Sequence, residues 1–310
     1  MFDRGKFSQQ NFHVHYDTIA QYFEWNHKVT IGTVECCRFC GETDPGFFRQ
    51  DTAHTFPELT GNRWLFSKDE CKKCNKLFQT YDSELGNMTH VTRSLSLVKG
   101  KNGKPDLKLG NDKIRITHED GNVVFLLKEG VSGSDLEQYL STNMKTLKSE
   151  NTIKMKIRQR PFNPLYVYKS LVKIAFAIMP KGEFQLQDFE NIKLCLQNKE
   201  YTYTDEKQKP LFVLFSNIIP LSDRKPFLML FKKRNPNINF VPTYSLVFAF
   251  GSTFLQIFLP HCQTDNIFLS QNTLNLPAVP ELGGNNFEYI SSDSEEKKRL
   301  KDLDLTVWRK

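Results

Sequence analysis

The sequence predicts an α+β protein in which a small metal-held module precedes a domain of helices followed by an antiparallel sheet. Three observations carry this. Two Cys-x-x-Cys pairs, Cys37/Cys40 and Cys71/Cys74, flank 30 residues that are too few to bury a core of their own. From Leu165 to Gln197 apolar residues recur at helical spacing, and from Leu211 to Leu259 they fall in short runs divided by Pro and Asn. Helices and strands segregated along a chain in this way indicate α+β rather than alternating βαβ units.

At 310 residues the chain has room for two domains, or for one domain and a metal-held appendage. A hydrophobic content of 39% with 26 Phe requires a buried core. No run of 18 or more apolar residues occurs, so no membrane span is expected. Met1 to Gln10 lacks the apolar stretch of a signal peptide, and the expected location is cytoplasmic. Of seven cysteines, four form the pairs and Cys36, Cys195 and Cys262 are scattered. That pattern suits a reducing compartment and bound metal better than a disulfide framework, and leaves Cys36 as a core thiol. The net charge of +7 is concentrated in residues 99–173, where 15 Lys and Arg stand against 8 Asp and Glu. A basic segment suits a nucleic-acid backbone; a solvated, Lys-rich connector is the equal alternative.

Taken in order, residues 1–35 are rich in aromatics and histidines. His13 and His15, two apart, would share one face of a strand as a metal pair, though ordinary packing is favoured. Thr30 to Cys36 reads as a strand leading into the first cysteine pair, and Thr89 to Val98 as another short strand. Lys99 to Lys113 is Gly, Asn and Lys punctuation. Ile114–His118 and Val123–Leu127 flank a Gly-Asn turn and form a hairpin. Ser134 with Glu137 reads as a capping box opening a helix. Leu165 to Met179 is a helix stopped by Pro180, and a second runs from Phe184 to Gln197. Strands follow at Leu211–Ile218, Phe227–Lys232, Leu246–Phe250 and Phe254–Leu259. The expected division is 1–98 metal module, 99–160 basic hairpin and linker, 161–290 α+β domain, and 291–310 a charged tail, mobile or helical.

Two cysteines two residues apart supply two zinc ligands from one tight turn, so two such pairs predict a structural site of four thiolates, Cys37, Cys40, Cys71 and Cys74. Such a site has no open coordination position and does not itself imply catalysis.

The order Cys37-x-x-Cys40-Gly41, His54-x-x-Pro57-Glu58, Gly61-Asn62, Cys71-x-x-Cys74-Asn75 and then Phe78 resembles the zinc-knuckle HNH endonucleases, the ββα-metal nucleases, over about 45 of the 310 residues. The resemblance implies a strand, loop and helix around a catalytic Mg²⁺ or Mn²⁺ ion, distinct from the structural zinc. His54 would be the general base, Asn75 the last position of the H-N-H signature and Asn62 its middle position. Many members carry an acidic residue or His just before the base, where it binds the ion; here that residue is Ala53, and Asp51 and Glu58 are the nearest carboxylates. Asp82, seven residues beyond Asn75, is expected to pack a helix instead.

The implied activity is cleavage of phosphodiester bonds in DNA, with RNA as the other candidate substrate, in a setting such as restriction or anti-phage defence. Lys154, Lys156, Arg158 and Arg160, spaced by two, would place a cation about every 6 to 7 Å along one strand face as phosphate contacts. The polar outer face of an edge strand accounts for them equally well. Residues 161–290 would serve DNA recognition, effector sensing or dimerisation. The alternative from another class is a zinc-knuckle nucleic-acid-binding protein that has lost the catalytic ion site.

Overall fold

The computed structural model describes residues 12–24, 27–48, 53–109, 112–119, 122–147, 152–184, 189–199, 213–218, 225–238, 241–259, 265, 279, 287–291, 299 and 303–308. Their elements, in chain order, begin with α1 (Phe12–His15), β1 (Tyr16–Phe23), β2 (Val29–Ile31), β3 (Ala53–His54) and β4 (Leu65–Ser67). Next come α2 (Lys72–Met88), α3 (His90–Leu95), β5 (Leu107–Leu109), β6 (Ile114–Glu119), β7 (Asn122–Leu127), α4 (Gly133–Asn143), β8 (Met144–Leu147) and β9 (Thr152–Ile157). The remainder comprises α5 (Pro164–Ile178), α6 (Lys181–Phe184), α7 (Glu190–Gln197), β10 (Val213–Ile218), β11 (Phe227–Lys233), β12 (Tyr244–Phe250), β13 (Thr253–Leu259), β14 (Phe287–Ser291) and β15 (Leu303–Trp308). The α+β class holds.

A six-stranded sheet in the order β1-β11-β12-β13-β10-β14, antiparallel throughout, forms the platform. Every residue of β12 and β13 is buried, because both faces of the sheet are covered. Leu246, Phe248, Phe250, Leu255 and Ile257 join the core cluster that also holds α5 and the cysteine module, while Val247, Ala249 and Phe254 join a second cluster with Phe12 and Tyr16. A strand buried on both sides reads as a continuous apolar run.

Helix α5 is the centre of the covered face. Asn163 caps it through a bond from Tyr166 N to its Oδ1 at 3.2 Å, and Pro164 opens the first turn, where no N–H is needed. The beginning and end of the chain interleave: β1, from the expected first domain, is an edge strand of the main sheet. The core is likewise continuous from Cys37 through α2 and α5 to Leu259, so the boundary expected at residue 161 does not separate two cores.

Several local expectations are corrected. His13 and His15 lie in the short helix α1, where residues two apart do not share a face. The strand expected over Thr30 to Cys36 is only β2. The strand expected at Thr89–Val98 is helix α3, all six of whose residues are buried, so the packing around the segment and not its alternation sets its form; Thr89, Thr92 and Ser94 satisfy their hydroxyls on the carbonyls of Leu85, Thr89 and His90. The capping box of α4 lies two residues earlier than expected, with Ser132 N donating to Asp135 and Asp135 N to Ser132. The expected helix over Phe184 to Gln197 has α7 as its described part, and residues 185–188 lie outside the described ones. The supposed tail holds β15, paired antiparallel with β9 from Leu303 against Ile157 to Trp308 against Thr152.

Two glycines mark close approaches. Gly251, in the β12–β13 turn at φ 50°, would place a Cβ 2.7 Å from Ser96 and Val98, where the turn docks on the end of α3. Ser96 Oγ donates to Ser252 Oγ at 2.6 Å and accepts from Ser252 N at 3.0 Å, locking that junction. Gly32, at φ 76°, leaves the space that the Asp69 carboxylate fills, so that any added Cβ would collide with it.

Candidate active site and metal centre

The four cysteines meet. Their Sγ atoms all lie within 4.8 Å of one another, and Cys40 Sγ is 3.6 Å from Cys71 Sγ. Four thiolates about 2.3 Å from a tetrahedral zinc stand about 3.8 Å apart, so donor type and spacing both fit that ion. The first knuckle is a tight turn in which Gly41 N donates to Cys37 O and Cys37 N to Glu42 O. The second opens α2, with Cys71 as N-cap and its thiol accepting from Cys74 N at 3.5 Å. Cys71 N donates to Cys37 Sγ at 3.4 Å and joins the two knuckles.

The sulfurs share protons unequally. The hydrogen bond from the Cys74 thiol draws Cys37 down to about 5, burial pushes Cys40 up to about 11, and Cys74 is raised by its bond to Cys37. A zinc ion binds such a set as thiolates and releases those protons. Cys36, expected in the core, is exposed, since the turn geometry selects Cys37 and points its neighbour outward.

The loop between the knuckles is a two-strand unit followed by a helix. β3 pairs antiparallel with β4, His54 opposite Phe66, and β2 adds to β4 in parallel. His54 is on the rim: its side chain is 35% exposed, its ring centroid lies 4.8 Å from that of Phe66, and Nε2 is 3.8 Å from Glu58 Oε2. Imidazole and carboxylate are both part-exposed, and Glu58 opens the 3-10 turn Glu58–Thr60.

Asn62 is fully buried. Its Nδ2 donates to Phe56 O and Leu65 O, both at 2.8 Å, and its Oδ1 accepts from Trp64 N at 3.2 Å and Leu65 N at 2.9 Å. All four amide positions are used by backbone. Expected among the catalytic residues, Asn62 instead clamps the loop that presents His54.

Asn75, in the first turn of α2, donates from Nδ2 to Glu70 Oε1 at 3.0 Å. Glu70 is fully buried, and burial raises its pKa against the opposing pull of Lys173 and Asn75. Its other oxygen is 3.1 Å from Lys173 Nζ of α5, and that ammonium also donates to His54 O at 2.9 Å and Thr55 O at 3.1 Å. His54 and Asn75 are thereby tied to one buried centre. Asp82 packs the helices together as expected, accepting from Ser170 Oγ of α5 at 2.6 Å, and burial raises its pKa.

Sequence reasoning missed Glu70, Ser170 and Lys173. The signal available was Lys169 and Lys173 four apart within an otherwise apolar helical run, a cation pair on a face that the flanking residues mark as buried.

Asp51, an expected ion ligand, lies outside the described residues. Among the described residues, the only group of three or more His, Cys, Asp or Glu donors at metal-ligating distance is the cysteine set. Lys154 and Lys156 are two apart in β9, which is the central strand of the β15-β9-β8 sheet and not an edge strand. Arg158 and Arg160 lie beyond the end of β9 and are exposed, so the four cations do not lie on one strand.

Arg38 fastens the first knuckle to the body. Its Nε is 2.8 Å from Asp69 Oδ2, and Nη1 donates to Phe176 O and Met179 O at 2.8 and 2.6 Å, closing the C-terminal end of α5. A cavity of about 590 Å³ lies beside this knuckle, bordered by Arg38, Cys36, Phe184 and Lys193; His54 is not among its lining residues.

The arrangement defines an α+β protein with a four-cysteine centre and, between its knuckles, an imidazole and a carboxylate on the rim of a two-strand, one-helix unit. No protein-family model matches the chain, and neither does any curated protein or solved structure. Among the described residues, no helix is long and apolar enough to cross a membrane.

Proposed function

We propose that the chain is a divalent-ion-dependent endonuclease of the HNH type that hydrolyses phosphodiester bonds in DNA. The single observation that carries the reading is the placement of His54: on a short strand between two zinc-ligating knuckles, partly exposed, 3.8 Å from Glu58, and bonded through its backbone to the buried centre that also anchors Asn75. Restriction or anti-phage defence is the setting that the family resemblance suggests.

His54 takes a proton from the attacking water, the step suited to an imidazole near neutral pH. Glu58, with water and substrate oxygens completing the shell, would hold a Mg²⁺ or Mn²⁺ ion, a site of the sparse kind these ions favour. That ion supplies charge stabilisation on the phosphate oxygens. Asn62 keeps the loop rigid, and Asn75 with Glu70 fixes the start of α2 behind the base. Lys154, Lys156, Arg158 and Arg160 are proposed phosphate contacts that add affinity without sequence choice. The structural zinc would sit on Cys37, Cys40, Cys71 and Cys74.

The second reading is a non-catalytic zinc-knuckle nucleic-acid-binding protein. Ala53 favours it, since no ligand stands at the residue before His54. Plasmid nicking with Mn²⁺ or Mg²⁺ separates the two. The wild type is expected to cleave, and His54→Ala to lose about 10²-fold or more, the scale of general-base catalysis, with its zinc content unchanged. Equal residual cleavage by both would overturn the catalytic reading, and matched RNA and DNA substrates assign the nucleic acid.

A further inference from the structure

Lys173 supplies the ammonium of the buried centre on which His54 and Asn75 converge. It lies in the middle of α5 with a side chain only 2% exposed. An ammonium taken that far from water must have its hydrogens satisfied by protein. Two carbonyls accept from it, His54 O at 2.9 Å and Thr55 O at 3.1 Å, and Glu70 Oε2, 3.1 Å away, is its ion-pair partner.

The acceptors are what make this lysine informative. β3 is only two residues long, and His54 is one of them, so the sheet alone holds the base by little backbone. Lys173, 119 residues further along the chain, fixes the carbonyls of that residue and of the next. Through Glu70 the same ammonium reaches Asn75 Nδ2, in the first turn of α2. One side chain from α5 therefore joins the strand bearing His54 to the helix bearing Asn75.

We propose that Lys173 is a positioning residue of the hydrolytic site: it fixes the His54–Thr55 backbone and, through Glu70, its placement relative to Asn75. The proposal rests on the endonuclease reading. It makes the site incomplete without α5, so the cysteine module on its own would present His54 poorly. A misplacement of about 1 Å at a reacting group costs up to about 10²-fold in rate.

Lys173→Met alone would strand the Glu70 carboxylate and Glu70→Gln alone would strand the buried Lys173 ammonium, so the test compares the pair Lys173→Met/Glu70→Gln with the wild type in the full chain. The amide that the Glu70 substitution introduces keeps an acceptor for Asn75, and the pair leaves neither charge buried without its partner. Relative to wild type, the pair is expected to lose about tenfold or more in kcat for Mn²⁺-dependent plasmid nicking, with KM within about twofold and zinc content unchanged. Lys173→Arg, which keeps charge and donors beside Glu70, is expected to retain part of the activity that the pair lacks. Equal kcat in wild type and the pair overturns the assignment. Loss of zinc or of a cooperative melt in the pair overturns it in favour of a purely structural role.

A wild type that does not cleave sinks the endonuclease reading and leaves this one to a second readout. The ¹H–¹⁵N imidazole resonances of His54, identified by their disappearance in His54→Ala, are expected to shift between wild type and the pair. Unchanged resonances overturn the positioning role.

Discussion

Asn62 and His90 show how much a single buried polar residue decides in this chain. Asn62 serves two carbonyls and two amides inside the loop that carries His54. Truncation to Ala leaves those groups buried and unpaired, each worth about 1–3 kcal/mol less whatever the loop recovers by relaxing. Asn62→Ala is therefore expected to destabilise the protein by roughly 3 kcal/mol, read as a lowered urea midpoint. His90, at the start of α3, is held down to about 4 by burial, with Arg160 and Arg93 adding repulsion to its charged form. Unfolded imidazole takes up its proton near 6.5, and the folded one does so only near 4. The stability linked to this group is thus fully present above about pH 6.5 and is lost as pH falls through about 4. His90→Asn should flatten the decline of the urea midpoint between pH 7 and 4 relative to wild type.

At the scale of elements, the cysteine centre organises three pieces of backbone: the first knuckle, the β3–β4 pair and the N-terminus of α2. Cys71 is both a member of the four-cysteine group and the N-cap of α2, so an ion held there would be joined directly to the helix start. Removing zinc with a chelator should release the first turn of α2 and with it Asn75 and the Glu70 contact. The expected outcome is a lower melting temperature and faster amide exchange over Cys71 to Asn75, reversed by restoring zinc. The helix beyond that turn should persist, because Phe78, Tyr81, Leu85 and Met88 are buried, and Tyr81 and Asp82 make side-chain contacts to α7 and α5. The knuckles were legible in the sequence because ligand spacing is local. The helix at Thr89–Val98, expected as a strand, was not, because the segment is buried on every side and tertiary packing overrides the alternation of its side chains.

The whole molecule does not divide where composition suggested. Phe56, from the loop that carries His54, meets Phe248 of the main sheet with ring centroids 5.4 Å apart, and β1 completes that sheet from the N-terminal side. Arg38 and Lys173 cross between the same regions with polar bonds. A fragment of residues 27–98 with zinc should consequently bind the metal yet show no cooperative thermal transition, while the full chain melts cooperatively; circular dichroism on both checks this. Cooperative melting of the fragment would show that the module holds its own core.

The sequence by itself determined the α+β class, the four cysteines, the main helix with its stop at Pro180, and four of the six strands of the central sheet, β10 to β13, because each depends on spacing within a few residues. It also singled out His54 and Asn75. Tertiary structure alone decided that Asn62 is a clamp, that Cys36 is exposed, that β15 completes a sheet with β9, and that Lys173 joins the backbone of His54 to Glu70 and Asn75. The last of these joins partners 119 residues apart, and which buried donor meets which buried acceptor is settled only when the core closes.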